Sequence, residues 1–421
     1  MRHIAILALG VLATVAGCDL LNNALEVQTP STIPASSLEI PANAQLLASG
    51  ALADFECAAG AYGVMAGLIT DELTDATQTA DRYPYERRTM TSSDARYGVN
   101  DCVGLGVYTP LQTARFSALN VLSLLESWTN AQVPGRDTLI VTLRAYEGYS
   151  LVLLGEGFCT MVVSTLDADR HIVYGGEIPR DSVFKVAIGY FTDAINGTSA
   201  TGQTAVRNLA RVGRARAYAD LGQVASAKAD AQLVDSGFVK YVTASAISAR
   251  RSNRIWQENS ATSDNTTLDS VYVNMNDLRV RWRDKGRNSV TGYRLYQQLK
   301  DTVASTPIRL ATWYEARLIV AEADVAANNF TGADSIVNFF RGRGGEPTTF
   351  ASTDPDSVKA EIFDQRRREL FLEGQHLGDV IRFGVTPDPP AGTPFKGGGT
   401  YGTQLCLPLP DVEKNNNPNV P

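Results

Sequence analysis

Two stretches of this chain repeat one plan, and that plan limits the fold more than any other feature. In RARAYADLGQVASAKADAQLV, a helical run ends at Leu221-Gly222, and a second run follows with Val224 and Ala227 on its apolar side. In EARLIVAEADVAANNFTGADSIVNFF, the turn falls at Asn328-Asn329, and Phe330 and Ala333 open the second run. RAYEGYSLVLLGEGF supplies a third first helix, with its turn expected at Leu154-Gly155. Small residues where two helices touch, followed by a turn, describe a helical hairpin of the tetratricopeptide (TPR) type. One such unit cannot bury its apolar face alone, so the hairpins must pack on neighbours.

Apolar residues recur at helical spacing over 42–61, 110–128, 136–157, 182–196, 204–221, 223–236, 311–328, 331–341 and 356–383. The hairpins fall at about 110–236 and 311–341, and a late helix and tail occupy 356–421. They are not contiguous along the chain: 159–182 interrupts the first and about 237–310 separates the second from the third. The expected fold is mostly α, with TPR-like hairpins carrying long irregular, loop-rich insertions. Insertions of this length are where function concentrates.

The chain begins MRHIAILALGVLATVAGCDLLNN. Arg2, the apolar run Ile4 to Val15 and the small residues Val15-Ala16-Gly17 have the form of a secretory signal. A cysteine directly after VAG fits a bacterial lipobox, so 1–17 reads as a lipoprotein signal peptide and Cys18 as the acylated residue of a single body, 18–421. Two or more acyl chains hold a protein durably on a lipid bilayer. No later run is expected to span one, since spanning takes about 20 apolar residues. A net charge of −7 argues against nucleic acid as a partner. Apart from Cys18, Cys57, Cys102, Cys159 and Cys406 remain, an even number that favours two disulfides with three connectivities open. The expected pairing is Cys57–Cys102, closing a local loop, and Cys159–Cys406, pinning the tail to the helical body. Three histidines, one inside the signal, give little support to a metal site, and no cofactor motif is present.

Candidate catalytic groups reduce to packing groups. Asp71, Glu72 and Asp75 in DELTDA could set two acids on one face, but read better as an acidic turn or helix start. Asp379 follows His376 by three residues, without any nucleophile motif around it. Arg366, Arg367 and Arg368 interleave with Glu361, Asp364, Glu369 and Glu373 at the spacing of intrahelical pairs.

Several motifs together resemble the SusD/RagB-like outer-membrane nutrient-binding lipoproteins. RRRELFLEGQHLGDVIRFG resembles that family's Arg-Glu-Leu, Glu-Gly and Asp-x-x-Arg-x-Gly run, here Arg368, Glu369, Leu370, Glu373, Gly374, Asp379, Arg382 and Gly384. WYEARLIVAEAD and the ending LPLPDVEKNNNP are also similar, and NDLRVRW resembles an Asp-Pro-Arg element with Leu278 in place of the proline. The resemblance implies a non-catalytic protein that captures a nutrient, chiefly oligosaccharide, and passes it to a TonB-dependent barrel transporter in the outer membrane. Asp19 after the lipidated cysteine retains lipoproteins at the inner membrane in some bacteria, so surface placement follows from the resemblance alone.

A sugar offers apolar C–H faces ringed by hydroxyls, and so calls for an aromatic platform beside planar hydrogen-bonding groups. In the 237–310 insertion, Trp256, Tyr272 and Trp282 stand among Asn253, Gln257, Asn274 and Arg279. Asn253, Trp256, Gln257, Tyr272 and Trp282 are therefore the expected ligand-binding residues, Trp282 the weakest because DLRVRW also reads as structural. The competing function is a TPR-type scaffold for envelope assembly or secretion partners, whose mark is an intact concave groove of contiguous repeats, which the insertions argue against.

Overall fold

The computed structural model describes residues 34–99, 101–198 and 202–420; the signal segment 1–17 and Cys18 lie outside them. The chain divides into two units, 1–43 and 44–421. The described part of the first holds a short helix, Ala35–Leu38, and a 3-10 turn, Pro41–Asn43.

The second unit is mostly α, as expected. Its main helices are α1 Ala44–Ile69, α2 Tyr108–Ser127, α3 Arg136–Gly157, α4 Arg180–Gly197, α5 Thr204–Asp220, α6 Val224–Ala231, α7 Trp313–Ala326, α8 Phe330–Gly344, α9 Pro355–Glu369 and α10 His376–Phe383. Each of α1 to α8 packs on the next, and α9 lies on α7 and α8. The α5–α6 and α7–α8 turns fall where the sequence places them. Gly222 and Asn328 both adopt positive φ, 69° and 56°, which glycine and asparagine tolerate best.

The gaps between hairpins are gaps in sequence only, since α6 packs directly on α7 across the long insertion. Strands Val239–Val242 and Ile308–Thr312 pair antiparallel at its base, Val239 opposite Thr312, so its two ends meet. The first interruption closes the same way, with Thr160–Val162 against Glu177–Pro179. The repeats therefore stack without a break, and the insertions are looped out of the stack.

Gly155 corrects the sequence reading. No turn forms there, and α3 runs on to Gly157. A Cβ on Gly155 would lie 2.7 Å from the Phe184 ring, and one on Gly148 would lie 2.7 Å from Phe191. Glycines seven apart on α3 thus receive phenylalanines seven apart on α4 in reverse order, which is how antiparallel ridges and grooves interlock. Gly213 on α5 backs Phe191 from the other side, where an added Cβ would meet the ring at 2.3 Å.

The late helix, expected as one run over 356–383, is broken. Leu372 and Gly374 take positive φ, 55° and 74°, and separate α9 from α10. The break is held from a distance: the Leu372 amide donates to Glu72 Oε1 at 2.7 Å, and Gly374 lies on Tyr62 and Gly63 of α1.

Buried charge locks these helices together. Arg216 of α5 grips Glu156 of α3 bidentately at 2.5 and 2.6 Å. Arg366 of α9 meets Asp379 at 2.9 Å and Glu322 of α7 at 3.2 Å. Arg382 of α10 meets the same two acids at 2.6 and 2.5 Å. Of the three arginines expected to pair within their helix, Arg367 and Arg368 do so through Asp364, and Arg366 does not. Glu369 and Glu373 reach outward to the insertion's neck. Glu369 meets Arg279 at 3.6 Å and Arg309 at 3.1 Å, and Glu373 takes Arg309 and Lys300.

Both expected disulfides form, Cys57–Cys102 and Cys159–Cys406, with Cα atoms 5.9 and 5.1 Å apart. Beside the second, Cys159 N–H donates to Leu407 O and Leu407 N–H to Gly157 O, at 3.0 and 2.8 Å, so the tail is stitched to the end of α3. A further sequence expectation fails: Pro41–Ile69 is long and apolar enough to cross a bilayer, although 72% of its apolar window is buried inside the protein, as in a core helix.

Two substitutions test this packing. Gly213→Ala is expected to cost about 1–3 kcal/mol, the usual penalty of overpacking. The Gly213→Ala/Phe191→Leu double variant should lose less than the sum of its singles in urea melts, and strict additivity would contradict the contact. Burial pushes the Glu72 carboxyl up from 4.5 to about 7. Between those values only the folded chain keeps the proton, so this group lowers stability as pH rises through that window. Glu72→Gln should therefore gain urea resistance relative to the parent between pH 5 and pH 8. A constant difference across that range would refute the assignment.

Candidate functional site

The insertion builds its candidate site on a β-hairpin. Strands Trp282–Asn288 and Arg294–Gln298 pair antiparallel, with Trp282 opposite Gln298 and Arg283 opposite Gln297. The Ser289 N–H to Tyr293 O bond, 2.8 Å, closes the turn between them. Beside the hairpin lies a short helix, Arg254–Glu258, capped by Asn253, whose Oδ1 accepts the Trp256 amide at 2.8 Å. The same Asn253 side chain donates to Asp301 Oδ1 and Thr306 O at 3.0 and 2.8 Å, tying the helix to the loop that precedes the outgoing strand Ile308–Thr312.

This framework sets Trp256 in the wall of a concavity of about 310 Å³ with Thr262, Arg283, Gln297 and Thr302. Arg283 Nε donates to Gln297 Oε1 at 2.8 Å, so guanidinium and amide hold each other beside the indole. Trp256 is half-buried, lines this concavity and belongs to none of the hydrophobic clusters among the described residues. A second concavity of about 380 Å³ adjoins the first across Leu299 and holds Trp282, Asn274, Asn276 and Arg281. Trp282 is divided between roles, packing on the core and edge-on to Tyr296 at 5.2 Å while lining this hollow.

The other expected residues are placed differently. Tyr272 is fully buried and stacked on Phe371, ring centroids 4.9 Å apart, so neither face is open to a ligand. Asn253 is buried and positions Trp256 through its cap. Gln257 is half-buried and accepts from Arg254. Arg279 is held by Asp277 at 2.6 Å and is part of the insertion's neck. Sequence reasoning missed Arg283, Gln297 and Leu299. The alternation in RVRWRDKGR and RLYQQL marks strands, but only the register of the pair sets Arg283 beside Gln297.

The acidic candidates are structural. His376 Nε2 lies 2.7 Å from Asp71 Oδ1, not on Asp379, which is taken by Arg366 and Arg382. Burial works to raise the Asp71 carboxyl, but His376 overrides it and holds the group below its ordinary value. Burial likewise works to lower His376, and Asp71 reverses that. Asp75 takes Arg82 at 2.6 Å. All of these groups are buried and paired within the body, away from the two concavities.

An open aromatic wall beside a preset guanidinium–amide edge is suited to stacking on a sugar ring and hydrogen-bonding its hydroxyls. The family model described as the SusD family matches residues 167–419. A search of curated proteins finds no match. Among solved structures, a SusD superfamily protein from Bacteroides thetaiotaomicron is 13% identical, with a TM-score of 0.70 over 91% of this chain and 99% of that one. One from Parabacteroides distasonis is 14% identical, also at 0.70, over 93% and 99%. A SusD-like carbohydrate binding protein from Bacteroides vulgatus is 14% identical, at 0.65, over 90% and 97%. At such identities the structural likeness establishes the fold, and the family match covers more than half of the chain. The chain belongs to the SusD family.

Proposed function

We propose that this protein is a lipoprotein of the outer membrane, anchored through acylated Cys18, that captures an oligosaccharide on the Trp256–Trp282 face. It hands the ligand to a TonB-dependent barrel without altering it. The observation that carries the reading is Trp256: an insertion tryptophan outside the core clusters, in a concavity edged by the Arg283–Gln297 pair. Family membership supports capture as the role, and one structural neighbour is itself described as carbohydrate binding. Capture and release ask only for modest affinity with fast dissociation, which an open concavity favours over an enclosed one.

The unbroken stack of hairpins also favours a second reading, a scaffold for envelope partners. A groove of about 790 Å³ between α5, α7, α9 and α10, with Phe363 and Phe383 in its lining, is the surface such a partner would use.

Two measurements separate these readings. Trp256→Ala should weaken binding of the recognised glycan about tenfold or more in calorimetry, in line with loss of one stacked aromatic, while leaving the melting temperature unchanged. Purification of C-terminally tagged protein from native outer membranes should recover a stoichiometric TonB-dependent barrel. Recovery of assembly or secretion factors instead would support the scaffold.

A further inference from the structure

The two concavities carry charge that the fold does not cancel. Between 279 and 300 the chain has seven cationic side chains. Five face a carboxylate. Arg279 meets Asp277 at 2.6 Å, Lys285 and Arg287 share Asp264 at 2.7 and 3.0 Å, Arg294 meets Asp284 at 2.8 Å, and Lys300 meets Glu373. Arg281 and Arg283 have no carboxylate partner within 4.0 Å among the described residues, and both are exposed. These two are also the arginines that line the hollows, Arg283 beside Trp256 and Arg281 beside Trp282.

The surroundings preserve that charge. Arg283 is oriented by a neutral amide oxygen, Gln297 Oε1, which fixes its plane without neutralising it. Asp277, which also lines the Trp282 hollow, is engaged by Arg279 and Arg368. In a chain of net charge −7, with its neighbouring cations paired, two unpaired guanidinium groups beside two tryptophans form a local anion-seeking surface. Guanidinium recognises planar carboxylate and sulfate oxygens bidentately.

We propose that the captured ligand is an acidic oligosaccharide. Its carboxylate or sulfate groups pair with Arg281 and Arg283 while one of its rings lies against Trp256. This rests on the reading of the face as a glycan site. The two arginines stand two residues apart on extended chain, about 6.6 Å along it, which suits separate acidic units of one polymer better than a single anion.

The test is a glycan array of neutral, uronic and sulfated oligosaccharides, followed by calorimetry on the best binder and its neutral counterpart, carboxyl-reduced or desulfated. The intact chain should bind the acidic form at least about tenfold more tightly than the neutral one. The Arg281→Gln/Arg283→Gln variant should lose about tenfold or more on the acidic ligand only, the scale of a lost charge-assisted contact. Added salt should weaken the intact chain more than this variant. Whether the uronic or the sulfated member binds better identifies the anion. Binding of a neutral glycan that Trp256→Ala abolishes and the double arginine variant leaves intact overturns the acidic ligand and keeps the glycan site. Acidic-glycan binding indifferent to all three substitutions, or no binding across the array, overturns both.

Discussion

A seam of buried charge governs this molecule. Glu156, Arg216, Glu322, Arg366, Asp379 and Arg382 come from α3, α5, α7, α9 and α10, and each is compensated by a partner on another helix. Such pairs add little net stability, because desolvation offsets their attraction. Stranding one partner, however, costs about 3–5 kcal/mol. The seam therefore works chiefly as an alignment device, admitting one arrangement of five helices. Its outward arm, Glu369 and Glu373, fixes the neck of the long insertion through Arg279, Lys300 and Arg309. The candidate face is thus held by the same late segment that closes the body.

The two looped-out insertions divide labour within the chain. Antiparallel ladders at their bases return the backbone to where it left, so the hairpins stack as if nothing intervened. Ladder and seam together make the insertion a platform whose contents can differ without disturbing the stack. That is the arrangement expected where one scaffold must present many recognition surfaces.

What could be read from the sequence followed from local chemistry. The turns at Gly222 and Asn328 were legible because a positive φ selects those residue types. Gly155 misled because a glycine that makes room for Phe184 inside a helix looks, in sequence, like one that ends a helix. The break at Leu372–Gly374 was hidden because it depends on Glu72, 300 residues away. The aromatic candidates show the same limit. Trp256 and Tyr272 both stand among polar residues, yet Phe371, from the late break, stacks on one and leaves the other open. The Arg283–Gln297 edge needed the register of a hairpin that alternation suggests and only pairing fixes.

The Cys159–Cys406 bond joins residues 247 apart, and the long insertion, with Trp256 and the Arg283–Gln297 pair, lies between them. The chain from α4 to the tail is therefore a covalent ring, closed beside the end of α3. A protease that clips an exposed loop of the insertion opens the ring without freeing either piece. Ladder, seam and sulfur bridge still hold both sides of the cut in register. Damage at one point of the insertion then stays local.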